Sequence, residues 1–214
     1  MGRQRTTIQT SSVATTGKTI LITKFLIAST ALAVGFMGPQ IQQAEAPKAP
    51  EVQELPVIPY EYSWKCEDCS PEEQYVLEQL QEHTKISDRN ALATIMGNIQ
   101  QESKFIANIC EGGARVNYED CHVGGYGLIQ WTSIGRYNNL GKFCDKYGCD
   151  PSSLEGQTRY MINENVFQRY LPEFEGRGRT VHQYMVPAYY WLGWGIKGNR
   201  ELYAYDYVKK LVWS

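Results

Sequence analysis

Leu92-Ala93-Thr94-Ile95-Met96-Gly97-Asn98-Ile99-Gln100-Gln101-Glu102-Ser103 is the stretch that decides how this chain folds. Leu92, Ile95, Met96 and Ile99 recur at helical spacing and share one sector of a helix. Ser87-Asp88 supplies the start signal, and an end near Ser103 is expected. Glu102 falls at the edge of the apolar sector, one turn beyond Ile99. A carboxyl so placed is half dry, and desolvation disfavours its charged form.

The flanking elements follow from similar signals. Upstream, Ser70-Pro71-Glu72-Glu73 starts a helix reaching about His83: serine caps, proline takes the first helical position, and two acids meet the positive end of the dipole. Downstream, residues 110–127 (CEGGARVNYEDCHVGGYG) carry no helical stripe and read as an irregular β-hairpin or loop. Thr132 or Ser133 then caps a helix in which Arg136, Leu140, Phe143 and Tyr147 share a face, and Gly148 ends it. Ser152-x-x-Glu155 reads as a capping box for a helix to about Val166. Residues 167–180 read as a Gly/Arg loop, and 181–192 and 199–212 as two more helices. With no repeat and no strand–helix–strand alternation, the class is mostly α (α+β), with a small β-hairpin insert.

The N-terminal third has a different character. Residues 1–24 carry Arg3, Arg5, Lys18 and Lys24 and no acid, and an apolar run, FLIASTALAVGFM, follows at 25–37. A basic flank before such a run fits a signal peptide or an uncleaved signal anchor, so residues 1–38 are expected to form a hydrophobic helix that exports or tethers the chain. Residues 39–63 hold Pro39, Pro47, Pro50, Pro56 and Pro59 among Gln, Glu and Ala, a linker composition. The folded domain is therefore expected at 64–214.

Of the 214 residues, 43% are hydrophobic and 21% charged, enough apolar material for a core and too little charge for global disorder. The net charge of -2 argues against nucleic acid as a partner, which needs a basic face. All six cysteines lie at position 66 or later, where export would carry them into an oxidising compartment. Cys66/Cys69, Cys110/Cys121 and Cys144/Cys149 suggest three local pairs, among the many connectivities six cysteines allow. A half zinc site at Cys66-x-x-Cys69 is the alternative, but no second Cys-x-x-Cys and no histidine at ligand spacing accompanies it. No metal and no organic cofactor is expected. A Cys–His nucleophile using His83, His122 or His182 would need a free thiol, which three pairs would leave none of.

A carboxyl that keeps its proton near neutral pH can donate it to a glycosidic oxygen, and that is the chemistry Glu102 suggests. The second half of the pattern is Gly125-Tyr126-Gly127-Leu128-Ile129-Gln130-Trp131-Thr132, with Arg136 soon after. Together with Ile95–Ser103, it resembles the lysozyme and lytic transglycosylase superfamily, in which a helix ending in Glu-Ser is followed by a hairpin and a Gly-Leu-x-Gln segment. Its spelling looks most like the phage tail lysozyme family, over about residues 72–166. The resemblance implies a lysozyme-like helical domain acting on peptidoglycan glycan strands, with Glu102 as the general acid. It implies that Ser103 supports the substrate or the acid's orientation, that Gln130 binds an N-acetyl group or a water, and that Tyr126 or Trp131 stacks on sugar.

The second carboxylate is open among Glu111, Glu119 and Asp120. Glu111 follows Glu102 by nine positions and Asn117 by six more, where some phage lysozymes carry Asp and Thr. The expected reaction is hydrolysis of the β-1,4 bond between N-acetylmuramic acid and N-acetylglucosamine, with Glu111 or Asp120 activating water or steadying positive charge. A lytic transglycosylase needs no second carboxylate, and a wall-binding module would need no acid at all. Tyr189-Tyr190-Trp191-Leu192-Gly193-Trp194 reads equally as a sugar-stacking wall and as buried packing. Phage and bacterial origins both fit; the expected partners are the glycan strands, a membrane through the N-terminal segment, and phage virion or tail components. The expected location is exported or membrane-anchored, with the domain in the periplasm or extracellular space.

Overall fold

A computed structural model of the chain describes residues 63–122 and 124–214. The expected N-terminal hydrophobic helix and the Pro-rich linker lie outside the described residues. Seven helices follow a two-residue strand, in the order β1 (Trp64–Lys65), α1 (Pro71–His83), α2 (Arg89–Glu102), α3 (Ile134–Tyr147), α4 (Leu154–Asn163), α5 (Asn165–Phe174), α6 (Val181–Leu192), α7 (Arg200–Lys210) and β2 (Val212–Trp213). Among the described residues, no helix is long and apolar enough to cross a membrane.

The helix starts are chemical. Ser70 and Glu73 form a reciprocal capping box on α1, and the Asp88 carboxylate accepts from the amides of Asn90 and Ala91. Ser133 caps α3, and Thr180 with Gln183 caps α6. Gly148 and Gly193 close α3 and α6 in the left-handed conformation, where a Cβ would be strained.

Helix α2 is the axle of the fold. Every residue from Ala91 to Ile99 is buried, so its whole circumference is covered by other elements. Gly97 is where α7 crosses: a Cβ there would lie 2.4 Å from the Ala204 amide nitrogen and 2.9 Å from the Arg200 carbonyl oxygen. The close approach fixes the start of α7 beside the end of α2.

Two elements differ from the sequence reading. The cap of α4 is Ser153, whose hydroxyl accepts from Gly156 N, while the Ser152 hydroxyl accepts from the Tyr118 amide at 2.8 Å. The Ser152/Glu155 capping box therefore does not form, because Ser152 is taken by a long-range partner. Residues 167–174 are helical rather than loop: α4 ends at Asn163, and α5 begins two residues later. Phe167 and Phe174 are buried on α5, and Tyr170 and Leu171 pack beside them, a helical stripe that Pro172 masks in the sequence.

The β content is also placed differently. The insert contains isolated bridges (Ile109 with Arg115, Cys110 with Tyr126, Tyr126 with Trp131) and a 3-10 turn at Tyr118–Asp120, not a regular hairpin. The two-stranded sheet pairs β1 with β2 antiparallel, Trp64 opposite Trp213. Gln81 of α1 extends that ladder, accepting from Trp64 N at 2.8 Å and donating to Trp64 O at 2.9 Å. The cysteines form Cys66–Cys69, Cys110–Cys121 and Cys144–Cys149. The zinc alternative at Cys66/Cys69 and the free-thiol nucleophile both fall with that pairing, since no described cysteine is free.

Candidate active site

Helix α2 stops at Glu102, and the chain turns sharply. Ser103 is buried, and its hydroxyl donates to the Leu128 carbonyl at 2.7 Å. Lys104 and Phe105 follow at φ of 54° and 62°, two consecutive non-glycine residues in the left-handed region. Gln130, at φ 51°, is the only other such residue among those described. Each costs on the order of 1–3 kcal/mol, and such strain clusters at functional sites.

The segment facing the helix end is held from behind by a buried amide. Gln157 of α4 accepts from Leu128 N at 2.7 Å and donates to the carbonyls of Ala107 and Pro151 at 2.8 and 2.7 Å. Gly127 sits against it at φ 74°, with a Cβ position 2.3 Å from Gln157 Oε1, so only glycine fits.

Between these segments and the residues after α6 lies a groove of about 560 Å³ lined by Glu102, Gln130, Arg136, Trp194, Ile196 and Arg200 among others. The Glu102 side chain is 15% exposed, and its Oε1 meets Nη2 of Arg200 at 2.8 Å. Trp194 lies on the guanidinium of Arg200, 4.7 Å from Cζ to the ring centre. Burial pushes the Glu102 carboxyl above its ordinary range, against the pull of Arg200 and of Arg136, which lower it. Burial likewise lowers Arg200, opposed by Glu102. Desolvation outweighs Coulomb attraction for both partners, as expected where an ion pair is taken out of water.

Arg136 is held differently. Its Nε and Nη2 donate to Glu164 at 3.1 and 2.5 Å. Glu164 is buried at the α4–α5 junction and accepts also from the indoles of Trp131 at 3.3 Å and Trp191 at 2.9 Å. One carboxylate thus anchors α3, α6 and the segment carrying Gln130, and it fixes an arginine in the groove wall.

The residues singled out in the sequence divide accordingly. Glu102 and Gln130 line the groove together. The Gln130 amide group donates inward, to Gly127 O at 3.0 Å and Ile109 O at 3.3 Å, which leaves its carbonyl oxygen as the end for a ligand. Ser103 is buried and ties the end of α2 to the Leu128 carbonyl, so its hydroxyl presents nothing to a substrate. Tyr126 and Trp131 are fully buried, so neither offers a ring face to a sugar. Tyr126 packs edge-on to Tyr118 and Tyr137, and Trp131 packs on Tyr160.

Glu111 and Asp120 are exposed in the insert, and neither lines the groove. Glu111 instead accepts from Gly125 N at 2.9 Å. Of the aromatic run, Trp191 is core, Tyr189 and Tyr190 are exposed, and Trp194 lines the groove. Arg200 and Glu164 were not legible as site residues: one meets its partner 98 positions away, and the other is a lone acid between two helices.

A family model described as phage tail lysozyme matches residues 72–182, more than half of the 214-residue chain. The matched stretch contains Glu102, Gln130, Arg136 and Glu164, whereas Trp194 and Arg200 lie beyond it. No curated protein and no solved structure matches the chain. A glutamate at a helix end, a facing Gly-Leu-Ile-Gln segment and this match agree, and the chain belongs to the phage tail lysozyme family, with the lysozyme-like role on peptidoglycan that membership carries.

Proposed function

We propose that the protein is a muramidase, hydrolysing the β-1,4 bond between N-acetylmuramic acid and N-acetylglucosamine with Glu102 as the general acid. The observation that carries this reading is a carboxyl raised by burial that opens into a groove at the end of a buried helix. Protonated, it donates to the glycosidic oxygen as the bond to the anomeric carbon breaks, and positive charge develops on the sugar ring. Gln130 would accept from an acetamido N–H. Arg136, its orientation fixed by Glu164, would donate to a carbonyl of the substrate. Trp194 takes the sugar-contacting role expected of Tyr126 or Trp131.

Glu111 or Asp120 remains the proposed source of water activation or charge stabilisation, although both lie outside the groove and would have to act on a glycan extending over the insert. A second reading is favoured by one observation: among the described residues lining the groove, Glu102 is the one carboxylate. A lytic transglycosylase requires no other, because the muramic acid hydroxyl attacks its own anomeric carbon. Mass spectrometry of the products from purified sacculi separates the two. Hydrolysis leaves reducing ends, and transglycosylation leaves anhydro ends lighter by one water. We further propose that residues 1–38 export or tether the domain to the periplasm or cell exterior, in keeping with three disulfides, or that it travels with phage virion or tail components.

A further inference from the structure

The wall opposite Gln130 is built by the chain after α6, outside the stretch that matches the family. Its two arginine neighbours behave differently. Arg136 is saturated on one side by a two-point grip from Glu164. Arg200 has one short contact, to Glu102, and reaches the Asn98 carbonyl at 3.5 Å, the limit of a hydrogen bond. Its Nε is buried and has no hydrogen-bond partner among the described residues. Its side chain is 6% exposed, and Trp194 supplies a flat, weakly directional face beneath it.

The backbone carrying Arg200 is fixed. Gly97 leaves no space between α2 and α7, and the Asn199 amide donates to Gln101 Oε1 at 2.8 Å. Any movement of the guanidinium is thereby left to the side chain, for which a slide along the Trp194 indole would keep that contact. A guanidinium carries five donors and no acceptor, so what draws it off Glu102 must be an oxygen acceptor. A buried donor left without a partner is costly, which favours a ligand oxygen that fills it.

We propose that Arg200 is a positioning residue that latches the Glu102 carboxylate until an amide carbonyl of the glycan, from an N-acetyl or a peptide-bearing lactyl group, takes its guanidinium. The inference rests on the assignment of Glu102 as the acid. In the empty groove the Arg200 contact opposes the upward push of burial on Glu102, and an occupied groove removes that opposition. Arg136 of α3 and Arg200 of α7 are the cations that act on Glu102. Arg136 stays bound to Glu164, so the change comes from Arg200 alone.

The test follows the Glu102 carboxyl directly, by carbon NMR titration of the full chain with labelled glutamate, assigned with Glu102→Gln. Chitotriose is the probe, and its binding is read separately from tryptophan fluorescence. Addition of chitotriose to the wild type is expected to move the Glu102 midpoint to higher pH. In Arg200→Gln the midpoint is expected to lie higher already, with no further move on binding, and Arg200→Lys, which keeps the charge, is expected to restore part of the wild-type response. Chitotriose that binds the wild type without moving the midpoint overturns the latch and leaves the acid assignment standing. Failure of chitotriose to bind the wild type overturns the latch, and undiminished sacculus cleavage by Glu102→Gln overturns the acid assignment and the latch with it. The wild-type measurement decides even if an Arg200 variant does not fold.

Discussion

Replacing Glu164 with glutamine tests whether one buried carboxylate organises the groove. Glu164 is 4% exposed and receives four N–H groups, two from Arg136 and one each from Trp131 and Trp191. Glutamine has nearly the same shape, but its NH2 group meets donors where an oxygen stood, and the Arg136 charge loses its counter-ion. Breaking one side of a buried ion pair costs about 3–5 kcal/mol. The Arg136 side chain is 20% exposed and can recover some hydration, so the lower end, about 3 kcal/mol, applies. For a folded unit of this size that corresponds to a fall in Tm of roughly 6–12 °C. Urea unfolding at unchanged m-value reads the loss, and a cycle with Arg136→Met should return a coupling of about 1–3 kcal/mol. A Glu164→Gln midpoint within about 0.5 kcal/mol of wild type would refute the reasoning.

Gly97→Ala places a methyl against the α7 backbone at 2.4 Å and is expected to cost about 1–3 kcal/mol, read by thermal unfolding; a neutral result means α7 does not cross there. Replacing Cys110 and Cys121 together by serine opens a loop of 11 positions and is expected to cost about 2–4 kcal/mol, measured against wild type in the same urea series; no change would place the stability of the insert elsewhere. Because burial raises Glu102, its acid form persists to higher pH than that of an exposed glutamate. Cleavage is therefore expected in full below that raised value and to fall as pH rises through it, and a profile flat from about pH 4 to about pH 9 contradicts the assignment. The same sign applies to folding: any stability gained from holding the Glu102 proton is present at low pH and lost as pH rises.

What the sequence shows well is local chemistry. Ser70, Asp88, Ser133 and Gly148 declare helix ends because a cap is satisfied within a few residues. The three disulfides are legible for the same reason, each joining neighbours in the chain. Ser152 misleads because its partner is Tyr118, outside any local window. Helix α5 is obscured by Pro172, which removes one amide late in the helix while Phe167 and Phe174 still bury. The apolar stripe also located Glu102 at the rim of the core. It could not announce Arg200, because that contact depends on Gly97 letting α7 come close. Trp131 shows the opposite error: a tryptophan in a cleft motif suggests a sugar platform, yet its indole N–H finds Glu164 and its ring the core.

The groove therefore combines a stretch that matches the family model and a wall that lies after residue 182, beyond the match. The first brings Glu102, Gln130 and Arg136; the second brings Trp194 and Arg200. That division accounts for a half-buried acid in an ion pair. The charge partner comes from α7 and the acid from α2, and the close packing of the two helices at Gly97 brings them together.

Digestion of purified sacculi by the wild type and by Glu102→Gln, side by side and at matched folded concentration, bears most directly on the catalytic claim. The wild type is expected to release soluble muropeptides, and the variant, which keeps the shape of the side chain without its proton, to release almost none. Equal release by both proteins, or none from the wild type, would contradict it.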